Sequence, residues 1–171
     1  MGMVMQQEGS IPYQLADTGL WDVWMISNRG SALSRKHLWL DADSEIEYWN
    51  FSFEEFGKYD LKTAVEFIQK ERQNDDKITL FGYSQGTTTI AYGIAESPEF
   101  YEPKVNLFVA LAPAILFENS KEESLRAFAK EKMLQKMLVD NDLLEFTGYT
   151  FNKEEDRFIC YAYPDLCDEN Y

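Results

Sequence analysis

Histidine, cysteine and basic residues are scarce in this chain. Its 171 residues hold one histidine and two cysteines, and 16 Lys and Arg face 30 Asp and Glu, for a formal net charge of -14. A charge of that sign repels nucleic acid and anionic membrane surfaces, both of which attract clustered Lys and Arg. No basic, aromatic-interleaved stripe offsets it, so nucleic-acid binding is excluded as an expectation. No run of 18 or more apolar residues is present, and a membrane-spanning helix needs one. The start, Met1-Gly2-Met3-Val4-Met5-Gln6, lacks the basic and apolar regions of a signal peptide. It also has Gln6 where a myristoylation signal wants Ser or Thr. Cys160 and Cys167 have no second Cys or His pair beside them, so zinc is not expected. A local disulfide and two reduced thiols both fit their spacing. No motif implies a metal or another cofactor, there is no internal repeat, and nothing sets an oligomeric state.

What is present suffices for a core. The chain is 45% hydrophobic and 15% aromatic, enough for one domain or part of one. Asp22-Val23-Trp24-Met25-Ile26 reads as a strand running into the turn cluster Ser27-Asn28-Arg29-Gly30-Ser31. A polar, aromatic-studded loop follows to about Tyr59. Leu61, Ala64, Val65 and Ile68 then fall at helical spacing, with one apolar face for packing on a sheet, until Asn74-Asp75-Asp76. Lys77-Ile78-Thr79-Leu80-Phe81 reads as a strand, Thr87 to Ala95 as a helix, and Val105 to Leu111 as a buried strand ended by Pro113. Strands alternating with helices imply βαβ units and a parallel sheet, an α/β fold with helices on both faces. At Ser120-Lys121-Glu122-Glu123, a capping-box sequence, the character changes to a charged amphipathic helix with Leu125, Phe128, Leu134, Met137 and Leu138 inward. Residues 1–114 are therefore expected to form an α/β core, and 115–171 a helical excursion from it.

Gly82-Tyr83-Ser84-Gln85-Gly86 matches G-x-S-x-G. With Gly at about 7% of residues and Ser similar, the bare pattern arises by chance in roughly one chain of this length in twenty. Its place between a buried strand and a helix is the context that gives it meaning. A serine on so tight a turn needs small residues two positions to either side, which Gly82 and Gly86 provide. The turn lifts Oγ above the sheet edge at a helix N-terminus, where amides and the helix dipole favour a developing oxyanion. Ser84 is thus the expected nucleophile, and the backbone N–H of Gln85 the expected oxyanion donor.

The surrounding residues resemble those of the acid lipases, the gastric and lysosomal lipase family. Trp49-Asn50-Phe51-Ser52-Phe53-Glu54-Glu55, continuing to Tyr59-Asp60-Leu61, is similar to that family's W-x-F-S-F-D-E…Y-D-L stretch. Gln85-Gly86-Thr87-Thr88 fits its G-H-S-Q-G-T-T, and Leu111-Ala112-Pro113 its A-L-A-P strand end. Leu15-Ala16-Asp17 through Trp24 resembles L-A-D-x-G-Y-D-V-W, and the Ser27 to Gly30 turn its N-x-R-G. Order and spacing agree from about residue 14 to 115. Departures are local: Tyr83 stands where the family has His, Ser27 and Ser31 replace asparagines, and Glu54 replaces Asp. The resemblance implies an α/β-hydrolase fold, hydrolysis of a lipid ester such as a triacylglycerol or steryl ester, and a secreted or lysosomal protein. It also implies that residues 115–171 begin the family's cap, and that Cys160 and Cys167 fall roughly where a cap disulfide lies.

A serine hydrolase needs a histidine base and an acid that orients it, and in α/β-hydrolases both follow the serine in the chain. The single histidine, His37, precedes Ser84 in the basic loop Ser34-Arg35-Lys36-His37-Leu38 and reads as a packing residue. The triad Asp and His are therefore expected outside this chain, as is the family's His-Gly-Leu segment with its second oxyanion amide. Asp156, Asp165, Asp168 and Glu169 have no following histidine to orient and read as solvated surface. Trp49, Phe51, Phe53 and Tyr59 read as core and loop anchors in preference to an acyl pocket. The competing expectation is a truncated, non-catalytic hydrolase-like fragment.

Overall fold

The structure, a computed structural model, describes residues 9–116 and residue 121. The expected helix after Ser120 and the Cys160 and Cys167 pair lie outside the described residues. The described chain opens with α1 (Ile11–Asp17), which starts at Ser10 with Pro12 in its first turn. After a long irregular segment come a 3-10 turn (Ile46–Trp49) and then α2 (Phe53–Glu55), a π turn (Phe56–Asp60) and α3 (Leu61–Arg72) in unbroken succession. The α/β unit follows: β1 (Ile78–Tyr83), α4 (Gln85–Glu96), α5 (Pro98–Tyr101) and β2 (Val105–Leu111).

β1 and β2 pair in parallel, with Leu80 opposite Phe108, Gly82 opposite Ala110 and Tyr83 opposite Leu111. Parallel neighbours need a crossover, and α4 with α5 supplies it. Leu80 and Gly82 are buried while Phe81 and Tyr83 are exposed, the period of two that a strand covered on one face must show. On the covered face Leu61 and Val65 of α3, Leu80 of β1, Ile90 of α4 and Tyr101 of α5 form the core. The helical stripe read from the sequence accounts for this: Leu61, Val65 and Ile68 are buried, and Ala64 half-buried. α3 ends where Gln73 takes a left-handed conformation at φ 54°, one residue before Asn74-Asp75-Asp76.

The helical stretch begins earlier than the stripe suggests. Ser52 opens α2 through a capping box: its Oγ accepts from the Glu54 amide at 3.1 Å, and Glu55 Oε2 accepts from the Ser52 amide at 2.7 Å. The bond from the Ser52 amide, joined by one from the Ser52 hydroxyl, holds the Glu55 carboxyl below the usual carboxylate range. The π turn then brings Gly57 against Gly93 of α4. A Cβ on Gly57 would lie 2.7 Å from Thr89 O, and one on Gly93 would lie 2.8 Å from Gly57 O. The two helices cross backbone to backbone, and no side chain fits between them.

One expectation fails. Asp22–Ile26 is not a strand. Among the described residues the sheet has two strands, and none of the segment's amides or carbonyls is bonded to them. An apolar cavity of about 500 Å³ is lined by residues of both segments, among them Trp21, Val23 and Met25 and, from β1, Ile78, Leu80 and Phe81. β-branched and aromatic composition favours a pleated surface, but a strand exists only where a neighbour completes its ladder. Trp24 instead meets Phe67 edge to face at 6.0 Å.

Candidate active site

The turn between β1 and α4 is built around Ser84. Its backbone lies at φ 49°, ψ -119°, a region that L-residues avoid and that costs about 1–3 kcal/mol to occupy. Bonds on both sides hold it there. The Ser84 amide donates to Leu111 O at 3.0 Å, extending the β1–β2 ladder by one residue. The Ser84 carbonyl accepts from the Thr87 amide at 2.9 Å and from Thr87 Oγ1 at 2.6 Å.

Of the two motif glycines only Gly82 is sterically required by the described residues. A Cβ there would lie 2.9 Å from Gly86 C, Gly86 O and Thr87 Cα, all backbone atoms that cannot move aside. A Cβ on Gly86 would meet nothing within 4 Å. Among the described residues the need for a small flank is met at Gly82, and none of them sets it at Gly86. Gly82 lies where α4 folds back over β1, whereas Gly86 lines the open cavity.

Ser84 and Gln85 are exposed, and neither the Ser84 hydroxyl nor the Gln85 amide has a hydrogen-bond partner among the described residues. Gln85 is the first residue of a 12-residue helix, so its amide is one of the four that the helix cannot satisfy. No acidic residue stands in that first turn. The positive end of the helix dipole therefore faces the serine without a competing carboxylate. This geometry can hold an oxygen that gains negative charge beside Ser84.

Thr87 and Thr88, read from the sequence only as part of the family match, complete the turn together with Ala114, a role that the sequence reading did not assign. Thr87 is fully buried; besides donating to Ser84 O, its Oγ1 accepts from the Ala114 amide at 2.8 Å. Thr88 Oγ1 donates to Ala114 O at 2.5 Å. The available signal was the pair of hydroxyl-bearing residues in the first turn of a helix, where Ser and Thr bond nearby backbone.

His37 is placed apart from this site. Its Nδ1 accepts from the Leu40 amide at 3.0 Å and, longer, from the Trp39 amide at 3.4 Å, and its ring meets Trp39 and Tyr48 edge to face. It pins a loop, and it shares no bond with Ser84. The aromatic residues serve the same end. Tyr48, Trp49, Phe51 and Phe56 contact one another in series, Arg35 stacks over Trp49, and Trp49 Nε1 donates to Ala42 O at 3.0 Å. Asp60 ties this loop to the helices, receiving Arg29 Nε at 2.8 Å, Arg29 Nη2 at 2.7 Å and the Arg29 amide at 2.9 Å.

A strand, a strained serine and a helix over a parallel pair are the frame of a known family, and residues 2–141 match the sequence profile of the alpha/beta hydrolase fold. The chain belongs to the α/β-hydrolase family. Among its relatives, human lipase member J is 36% identical over 141 residues, covering 82% of this chain and 37% of that protein. Human lipase member M is 36% identical over 129 residues, covering 75% of the chain and 30% of that protein. Mouse gastric triacylglycerol lipase is 34% identical over 134 residues, with 78% and 33% covered. The chain thus spans about a third of the length of these curated relatives, and as an α/β-hydrolase it is acid-lipase-like over most of its own length. Among the described residues no helix is long and apolar enough to cross a membrane.

Proposed function

We propose that Ser84 is the nucleophile of a lipase that hydrolyses carboxylic esters of neutral lipids, triacylglycerols or steryl esters. The observation that carries this reading is the strained Ser84 itself. A non-glycine residue held at φ 49° between a strand and a helix, with its hydroxyl exposed and an unpartnered amide next to it, is costly to keep for a turn with no chemistry. The similarity to lipases, one of them named for triacylglycerol, supports the substrate class. Ser84 Oγ attacks the acyl carbonyl while a histidine from outside this chain takes the hydroxyl proton. The Gln85 amide stabilises the tetrahedral oxyanion, the proton passes to the departing alcohol, and water then releases the fatty acid by the same route. In this reading residues 1–114 belong to the catalytic core, 115–171 begin a cap over the acyl site, and the whole protein is secreted or lysosomal.

The test is labelling of the full-length protein with a fluorophosphonate, alongside turnover of tributyrin. Wild type is expected to label at Ser84, and Ser84→Ala to lose labelling and turnover by a factor on the order of a million. Label on another residue, or Ser84→Ala retaining wild-type turnover, overturns the assignment. The 171-residue chain alone should label far more slowly than the full-length protein, because a serine hydroxyl without its base is a weak nucleophile.

A further inference from the structure

We infer that Thr87 is a positioning residue that aims the oxyanion donor, acting through the Ser84–Gln85 peptide plane. This rests on the reading of Ser84 and Gln85 given above. The Ser84 carbonyl and the Gln85 amide belong to one peptide group, which is trans. In a planar trans peptide the C=O and N–H point in opposite directions, so fixing one fixes the other. The Ser84 carbonyl is fixed by two donors from one residue, the amide and hydroxyl of Thr87 at 2.9 and 2.6 Å. The Gln85 N–H therefore points outward along a line set by Thr87.

Thr87 is itself locked. Its side chain is fully buried, and its Oγ1 both donates to Ser84 O and accepts from the Ala114 amide at 2.8 Å. That engages the hydroxyl proton and a lone pair in fixed directions, which leaves the hydroxyl no other low-energy rotamer. Thr88 closes the clasp from the adjacent position by donating to Ala114 O. Ala114 lies two residues beyond Ala112, which also sits at positive φ, 45°, immediately after β2. The ends of β1 and β2 are thereby joined twice: once through the ladder bond from Ser84 N to Leu111 O, and once through the threonine clasp. The ladder bond holds the amide side of Ser84 and the clasp holds its carbonyl side. Only the second of these reaches the Gln85 N–H.

An oxyanion donor acts by being in place before charge develops, so a tilted peptide plane weakens the transition state and leaves ground-state binding alone. Thr87→Val keeps the shape and removes the hydroxyl, Thr87→Ser restores it, and Thr88→Val breaks only the outer bond. In the full-length protein with p-nitrophenyl butyrate, Thr87→Val should lower kcat roughly 10- to 100-fold with KM unchanged, less than the loss from deleting a donor outright. Thr87→Ser should recover most of the rate, and Thr88→Val should fall between the two. Inactivation by a phosphonate should slow in Thr87→Val far more than inactivation by the matching phosphonothioate, whose sulfur accepts hydrogen bonds weakly. A rise in KM with kcat intact, equal slowing of both inhibitors, or failure of Thr87→Ser to recover overturns the assignment. If Thr87→Val does not fold, as judged by circular dichroism, Thr87→Ser and Thr88→Val still decide through the inhibitor ratio. Ser84→Ala run in parallel keeps the two readings apart. Turnover surviving that change removes the nucleophile, whereas turnover lost there but unaffected in Thr87→Val removes only the positioning role.

Discussion

Between Ile78 and Ala114 the backbone carries most of the order, whereas from Trp21 to Asn50 side chains carry it. In the first region a parallel ladder, two helices and two strained residues follow one another with few residues between. In the second, edge-to-face rings around Tyr48, the Arg29–Asp60 pair and the His37 cap supplement a single 3-10 turn among the described residues. Backbone order places atoms to within the tolerance of a peptide plane, which a catalytic turn needs. Side-chain anchors hold a loop against the scaffold and allow it more freedom. The two regions should therefore fail in different ways.

The largest effect is expected where backbone meets backbone in the elbow. Gly82→Ala places a Cβ 2.9 Å from three backbone atoms of Gly86 and Thr87, and none of these is the end of a flexible side chain. We expect a loss of about 3 kcal/mol in stability, the upper end of ordinary overpacking, together with loss of fluorophosphonate labelling at Ser84. Gly86→Ala is the matched control, because a Cβ there meets nothing within 4 Å. Urea denaturation of both variants checks this. Equal destabilisation would mean that the asymmetry between the two motif glycines is wrong.

A smaller loss is expected on the anchored side. Asp60 is 14% exposed in its side chain and receives two guanidinium nitrogens and one amide from Arg29. Asp60→Asn removes the charge and leaves those donors poorly satisfied, at a cost of about 2 kcal/mol by denaturant melts. Proteolysis of the loop should rise while the elbow stays intact. A drop in Ser84 reactivity as large as that from Gly82→Ala would erase the distinction between the regions.

The same contrast decided what could be read from the sequence. β1, α4 and β2 were legible because their apolar residues repeat with a structural period and the G-x-S-x-G turn joins them. β2 was found with its observed ends, Val105 and Leu111, and α3 with its buried face. The turn that places Ser84 between β1 and α4 was legible for the same reason, while the roles of Ser84 and Gln85 in it belong to the proposal above. The threonine clasp was not, because it joins residues 26 and 27 positions apart and no periodicity marks such a bond. Asp22–Ile26 was misread because strand composition says nothing about whether a partner strand lies alongside. α2 was overlooked in an aromatic segment, although Ser52 and Glu55 are the S-x-x-E of a capping box. The resemblance to lipases supplied the Trp49 to Leu61 segment as a motif, and the structure shows what Asp60 within it does, which is to accept the amide and guanidinium of Arg29.

The smallest effect sharpens the comparison where the π turn that carries Asp60 packs on the ladder-built region. Tyr101, from α5, donates its hydroxyl to Gly57 O at 3.3 Å, across the crossing of the π turn with α4. Burial, with a smaller contribution from Glu66, pushes its pKa up to about 12. A phenol whose pKa is higher folded than unfolded stabilises the fold fully below its unfolded value, near 10, and that contribution is lost as pH rises toward 12. Stability should therefore decline between about pH 10 and 12 with a component absent from Tyr101→Phe. At neutral pH the same substitution should cost only about 0.5–1 kcal/mol, since the bond is long and the ring is retained. Spectrophotometric titration of the tyrosines, with thermal melts across that range, checks both halves. If the alkaline loss persists in Tyr101→Phe, a group other than this hydroxyl is responsible, and the crossing of the π turn with α4 is not held where the Tyr101 bond places it.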